Sequence, residues 1–132
     1  MLNGGCLCGH VRYRAEGTPF HATLCHCASC RRAAGAPVVA WFSVAREAFH
    51  LTAGAPARYA SSPGVERGFC PRCGTTLTYE SAHAPGEIDI ATASLDDAEA
   101  VPPLDHTQAA SCLGWLRLSD GLPRFPEGRT ED

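Results

Sequence analysis

The sequence has no long apolar run, no excess of basic charge and no recognisable secretory leader. Its longest apolar stretch, APVVAWFSVA (36–45), is half of the ~20 residues that a membrane-spanning helix needs. A net charge of −3 gives no basic field, which disfavours a nucleic-acid partner. The first residues, MLNGGCLCGH, have neither the basic nor the apolar region of a signal peptide. We therefore expect a cytoplasmic protein with no membrane or nucleic-acid partner.

Several common signatures of catalysis are also missing. The chain contains no phosphate-binding glycine loop and no Gly-x-Ser-x-Gly nucleophile motif. The acidic segment 95–99 is predicted to be a single solvated helical turn, not an acid–base pair. Four arginines are predicted to be solvated surface charges, although each could bind an anionic substrate: Arg31, Arg32, Arg46 and Arg67.

Short alternating segments, separated by thirteen glycines and ten prolines, fill most of the 132 residues. Alternation of apolar and polar residues predicts strands, and the frequent breaks keep them short. The predicted strands are 10–17, 20–25, 37–44, 48–53, 57–61, 75–80, 87–94 and 112–118. One short helix is predicted over 28–35, with Ser29 near its N-cap and Gly35 as its stop. The fold class is therefore mainly β, with one domain over 1–126 and a frayed tail over 127–132.

Seven of the eight cysteines fall into three tight groups, which indicates a metal or redox role in a reducing compartment. Cys6 and Cys8 are predicted to share one face at the start of a strand. The segment CPRCG, with Cys70 and Cys73, resembles a zinc knuckle. These four thiolates would complete a tetrahedral structural zinc site, which would pin the N-terminal strand to a distant loop.

The third group, Cys25, Cys27 and Cys30, is left as a separate trio. Its sulfurs can converge where a predicted strand meets the predicted helix, and a zinc ion on three cysteines keeps one position for water, a thiolate or a carbonyl oxygen. His26 is a poor fourth ligand because, on a strand, it points away from its two neighbours. Four alternatives stay open: closure of the site by Cys112, regrouping of the last two trio cysteines with the knuckle, disulfides, and inert buried cysteines.

These motifs, taken in order, resemble the glutathione-dependent formaldehyde-activating enzyme family. The matching segments are GGCLCGHVRY (4–13), CHCASCRRAAGAP (25–37), FCPRCGTTL (69–77) and a C-terminal block that contains His106, Trp115, 119–123 and Phe125. The resemblance implies the family's zinc-stabilised Mss4-like fold, a β-sandwich or complex of short antiparallel sheets with one short helix.

The resemblance also implies two zinc ions per chain. The first would be structural, on Cys6, Cys8, Cys70 and Cys73; the second, more labile, would lie on the catalytic residues Cys25, Cys27 and Cys30. The implied activity is that of a carbon–sulfur lyase which condenses formaldehyde, or a similar aldehyde, with glutathione or another thiol. Substrate contacts are expected from Arg31, Arg32 and His106, although a loop histidine is more often a surface or hydrogen-bonding residue. The alternative is a non-catalytic, zinc-stabilised binding module of the same fold.

Overall fold

Ten strands and one α-helix are present in the computed structural model, which describes residues 1–129 of the 132. The strands are β1 (Leu2–Gly5), β2 (Arg12–Ala15), β3 (Phe20–Cys25), β4 (Val39–Ala45), β5 (Phe49–Ala53), β6 (Ala57–Ser62), β7 (Val65–Phe69), β8 (Thr76–Ser81), β9 (Glu87–Ala91) and β10 (Asp105–Thr107). Helix α1 (Ala28–Ala34) follows β3, and single 3-10 turns lie at Arg46–Ala48, Thr92–Ser94 and Ala109–Ser111. The prediction of a mainly β fold with one short helix is confirmed.

The strands form two open sheets. One has three antiparallel strands in the order β1-β2-β5. The other has seven, in the order β10-β3-β4-β9-β8-β7-β6, and its neighbours are antiparallel except for the parallel pair of β10 and β3.

The main hydrophobic core lies on one face of the seven-stranded sheet. Phe42, Val44, Ile88 and Ile90 point to this face, are at most 2% exposed, and share a cluster with Tyr13 of the smaller sheet. Burying an apolar side chain of this size contributes about 1.5–3 kcal/mol. This shared core therefore holds the two sheets together.

The opposite face of the same sheet is polar and carries sulfur. Alternation along the strands turns every second side chain to this face. Pairing across the sheet then aligns Ser43 with Asp89, Asp89 with Tyr79, and Tyr79 with Arg67. Cys25, the last residue of β3, lies on the same face. We call this surface the cavity face.

The strand predicted over 112–118 is wrong. A backbone hydrogen bond within the segment closes a turn, and Trp115 is 70% exposed. The outer edge of β10 is instead occupied by residues 123–125, with which His106 exchanges two backbone hydrogen bonds. Residues 112–118 therefore do not extend the sheet at this edge.

Three strands were not predicted, and one helical turn was misplaced. β1 and β10 are too short for alternation to mark them, and β7 contains a glycine and two charged residues. The helical turn predicted over 95–99 occurs just before it, at Thr92–Ser94.

Part of the predicted tail is in contact with the domain. The carbonyl of Glu127 accepts a hydrogen bond from the Gln108 amide, and Arg129 pairs with Asp105. Residues 130–132 lie outside the described part of the chain, and the boundary at residue 126 stays a prediction. Over residues 1–129, α1 and the 3-10 turns are too short to form a membrane-crossing helix.

Candidate metal centres and the adjoining cavity

Four cysteine sulfurs meet where the turn after β1 approaches the turn after β7. The Sγ atoms of Cys6, Cys8, Cys70 and Cys73 all lie within 4.8 Å of one another. The Cys6–Cys8 and Cys8–Cys70 sulfur separations are 3.6 and 3.7 Å. Four thiolates around a tetrahedral zinc ion at 2.3 Å would be about 3.8 Å apart, so the group fits such an ion. The pair Cys6 and Cys8 follows a strand and lies in a turn, which corrects the expectation that it starts one.

The second half of this group is a tight turn that aims backbone amides at a sulfur. The amides of Arg72 and Cys73 donate to Cys70 Sγ at 3.3 and 3.4 Å. Gly74 adopts a φ of +79°, a left-handed conformation that most residues avoid, and its amide donates to the Cys70 carbonyl. The turn therefore holds the Cys70 sulfur in place beside the other three.

The four-cysteine group joins parts of the chain that are far apart in sequence. Cys6 and Cys70 are 8% and 1% exposed and belong to the main core cluster. A metal ion held here would connect the smaller sheet to the larger one. The arrangement fits a structural role, because four protein ligands would leave a tetrahedral ion no coordination position for a substrate.

The trio lies at the junction of β3 and α1. Cys25 ends β3, Cys27 is the N-cap of α1, and Cys30 lies in its first turn. Their sulfurs lie within 4.8 Å of one another, with Cys25 and Cys30 3.6 Å apart. The sulfur of Cys27 accepts the Cys30 amide at 3.2 Å, so Cys27 caps the helix and the predicted cap, Ser29, does not. The helix stops at Gly35, as predicted.

Three thiols this close together do not ionise independently. The thiols of Cys25 and Cys30 donate hydrogen bonds to Cys27, and this lowers the pKa of Cys27. The same contact with Cys27 raises the pKa of Cys25. One negative charge is therefore favourable in the trio, whereas three would require a cation among the sulfurs.

Arg67 places a positive charge beside the trio. Its Nη1 and Nη2 atoms both lie 3.7 Å from Cys30 Sγ, and its guanidinium stacks 4.9 Å from the centroid of the Tyr79 ring. The side chain is also held by Ser61. At 8% exposure, Arg67 is a buried residue and not the solvated surface charge that the sequence predicted.

His26 points away from the trio into a buried chain of hydrogen bonds. Its Nε2 atom is 2.8 Å from His106 Nδ1, and His106 Nε2 is 2.8 Å from the Asp120 carboxylate. Both histidines are fully buried. The structure thus places His106, predicted to contact substrate, inside the protein with both ring nitrogens bonded.

No fourth metal-binding side chain joins the trio among residues 1–129. Cys112, the sequence alternative, has its sulfur 3.5 and 3.8 Å from the carbonyl oxygens of Leu113 and Leu116, and it belongs to neither cysteine group. Cys27 and Cys30 lie with Cys25, whereas Cys70 and Cys73 lie with Cys6 and Cys8. The alternative that grouped Cys27 and Cys30 with the knuckle is therefore wrong.

The trio forms part of the wall of a cavity of 290 Å³ above the cavity face. Trp41 and Tyr79 supply aromatic walls, and the arginines that line it are Arg67 and Arg129. The predicted substrate arginines, Arg31 and Arg32, are not part of this wall. The first donates to the His26 carbonyl and the second is exposed. The full lining is His21, Thr23, Cys25, Cys27, Cys30, Trp41, Ser43, Arg67, Tyr79, Glu87, Asp89, Thr107, Gln108, Gly128 and Arg129.

Asp89 is a cavity residue that the sequence reasoning missed. It lies on β9 between the buried Ile88 and Ile90, and its Oδ1 accepts a 2.6 Å hydrogen bond from the Ser43 hydroxyl. Burial raises the pKa of Asp89 to about 6, although the Ser43 hydrogen bond acts in the opposite direction. The available signal was its position: an acid inside an apolar strand faces either a partner or a cavity.

Three comparisons with known proteins place the chain in context. The family model described as "Glutathione-dependent formaldehyde-activating enzyme" matches residues 1–110. An uncharacterized lyase of Schizosaccharomyces pombe is 36% identical over 76 residues, which are 58% of this chain and 55% of that protein. The chain therefore spans about half the length of this curated relative.

A crystal structure of a Rhodobacter sphaeroides protein has a similar fold. The match has a TM-score of 0.58 at 20% identity and covers 93% of this chain and 98% of that one. At this identity the likeness concerns the fold alone.

We expect Cys70→Ser to abolish stable folding, because an ion held by four thiolates supplies on the order of 10 kcal/mol, comparable to the whole stability of a small domain. Circular dichroism and bound-metal content of the purified variant measure this. The matched control is Cys112→Ser, which lies in neither group and should keep both wild-type values. A Cys70→Ser protein that keeps its metal content and melts within a few degrees of wild type would refute the structural role.

We expect Asp89→Asn to change how stability depends on pH. The folded-state pKa of Asp89, about 6, lies above the ordinary 3.8, so ionisation between these values favours the unfolded chain. Relative to the variant, the wild type should lose about 1 kcal/mol of unfolding free energy between pH 5 and pH 8. Urea unfolding at both pH values tests this, and an identical pH dependence in the two proteins would contradict it.

Proposed function

This chain belongs to the glutathione-dependent formaldehyde-activating enzyme family, and we propose that it is a zinc-dependent carbon–sulfur lyase. The proposed reaction condenses formaldehyde, or a similar small aldehyde, with glutathione to give S-hydroxymethylglutathione. One observation carries the proposal: three cysteine sulfurs converge on a cavity wall, and no fourth ligand side chain joins them in the described chain. The name of the Schizosaccharomyces pombe relative, a lyase, supports the same reaction class.

We further propose two zinc ions per chain, one on each cysteine group. Sulfur separations of 3.6 and 3.7 Å in the four-cysteine group and of 3.6 Å between Cys25 and Cys30 match the edge of a zinc–thiolate tetrahedron. All eight cysteines are free thiols, which fits a reducing compartment, and we place the protein in the cytoplasm. Zinc bound by the trio would supply a Lewis-acidic position that lowers the pKa of a thiol or polarises a carbonyl oxygen.

The surrounding residues stabilise negative charge on the trio. The guanidinium of Arg67 faces Cys30 and offsets part of the negative charge on the sulfurs. The Cys30 amide, at the first turn of α1, donates to Cys27. Both contacts exist before any substrate arrives, so the charge distribution of the site is organised in advance.

The cavity itself orients the two reactants. The Trp41 and Tyr79 rings, with centroids 6.1 Å apart, form an apolar wall that suits a small aldehyde and limits the water around it. In the reaction the thiol sulfur forms a bond to the carbonyl carbon, the C=O π bond breaks, and the thiol proton ends on the oxygen. Atoms and electrons balance without an oxidant or reductant.

We expect Cys27→Ser to lose one zinc ion per chain and to slow the catalysed reaction at least tenfold while the protein still folds. The reason is that Cys27 belongs to the trio alone, and the four-cysteine group stays intact. Exchange NMR of labelled formaldehyde with glutathione, corrected for the uncatalysed rate, measures activity, with Cys112→Ser as the matched control. Unchanged exchange in Cys27→Ser would contradict the proposal.

The rival hypothesis, a non-catalytic binding module, makes a different prediction for a mild chelator. A catalytic trio with three protein ligands should release its zinc well before the four-cysteine group does. Two equally inert ions, or a single ion per chain, would favour the module.

A further inference from the structure

The end of the cavity away from the trio contains an acid without a cationic partner. The charged groups on the cavity wall are mostly paired: Arg67 contacts Cys30, Arg129 binds the Asp105 carboxylate at 2.5 and 3.0 Å, and the Glu87 carboxylate lies 4.0 Å from His21. Among residues 1–129, no lysine, arginine or histidine forms a hydrogen bond or ion pair with Asp89.

One oxygen of Asp89 is available to a ligand. Oδ1 accepts the Ser43 hydroxyl, whereas Oδ2 accepts no hydrogen bond from the described residues. Asp89 Oδ2 is not a fully buried atom without a partner; in the described residues that description applies to His26 Nδ1. Because Asp89 lines the cavity, its Oδ2 atom is open to that space. Burying a carboxylate without a cation nearby has an unfavourable desolvation free energy. A ligand cation that binds the carboxylate offsets this free energy.

The strand register sets the distance between Asp89 and the trio. Asp89 is aligned with Ser43 on β4, and Cys25 is aligned with Val39 on the same strand. Four residues of strand separate the two levels, roughly 13 Å at the backbone. The Arg67 side chain, which starts at the level of Tyr79 and Asp89, reaches Cys30. A side chain that starts at the level of Asp89 along the strands can therefore come within contact distance of a trio sulfur.

We propose that Asp89 binds the protonated amine of the thiol substrate and makes the cavity select thiols that carry such an amine far from their sulfur. This rests on the proposed function, which brings the substrate sulfur to the trio. In glutathione the γ-glutamyl amine lies eight bonds from the sulfur, roughly 10 Å in an extended chain. The amine of cysteamine, three bonds from its sulfur, is too close to reach.

Asp89 shares the cavity wall with other charged side chains. Arg129, Glu87 and His21 line the same cavity as Asp89. An α-amino acid head carries an ammonium and a carboxylate on one carbon. Asp89 presents the negative charge that complements the ammonium, whereas the Arg129 guanidinium on the same wall is already bound to Asp105.

The test compares glutathione with N-acetylated glutathione, which has the same sulfur and carboxylates but no ammonium. Isothermal titration of the zinc-loaded protein should give a preference of about tenfold or more for glutathione, the usual strength of a charged hydrogen bond. Asp89→Asn, which can still accept the Ser43 hydroxyl, should remove that preference. Glu87→Gln removes an acid from the same wall and should keep it.

Three results would overturn the assignment. Equal affinities in the wild type, or a preference that survives in Asp89→Asn, would exclude Asp89 as the amine site and leave the proposed function standing. Cysteamine affinity that falls in Asp89→Asn as much as glutathione affinity would refute the distance argument. If neither tripeptide binds, or if Cys27→Ser binds both unchanged, the proposed function fails as well.

Discussion

The mutual repulsion of closely held sulfur atoms is the constraint on which the rest of the structure depends. Within each group of cysteines the sulfurs lie within 4.8 Å of one another. The first group joins two turns that are far apart in the sequence, whereas the trio lies within residues 25–30. Without a cation, the trio favours a single negative charge, because ionisation of Cys27 raises the pKa of Cys25 beside it. With a bound cation, the four-cysteine group would join the two sheets, and the trio would become a charged centre on the wall of a cavity. The fold and the chemistry thus depend on the same interaction.

The two groups differ in what surrounds them. The first is shared between two turns, and Cys6 and Cys70 belong to the main core. The trio borders the 290 Å³ cavity, where Arg67, two aromatic rings and Asp89 each face the same space. Behind the trio, the chain from His26 through His106 to Asp120 ties the cysteine loop to the C-terminal segment. His26 lies between Cys25 and Cys27 in the sequence, but its ring belongs to this buried network and so holds the cysteine loop in place.

Much of this could be predicted from the sequence, because the strongest signals are local. Alternation located β2 to β6, β8 and β9, and spacing separated the cysteines into the two groups that the structure brings together. The errors come from contacts that no local pattern encodes. Segment 112–118 alternates like a strand, but residues 123–125 occupy the sheet edge. Arg67 looks like a surface charge until the register aligns it with Tyr79 beside Cys30, and Asp89 becomes a cavity residue only once β4, β8 and β9 are paired.

The central claim is that the trio holds a metal ion with one position left for a substrate sulfur. Cadmium-113 NMR of the cadmium-substituted protein tests it most directly, because the chemical shift reports the number of sulfur ligands on each ion. We expect two resonances of equal intensity, of which one stays fixed and the other moves toward the four-sulfur position when glutathione is added. A single resonance, or two that both ignore glutathione, would contradict it.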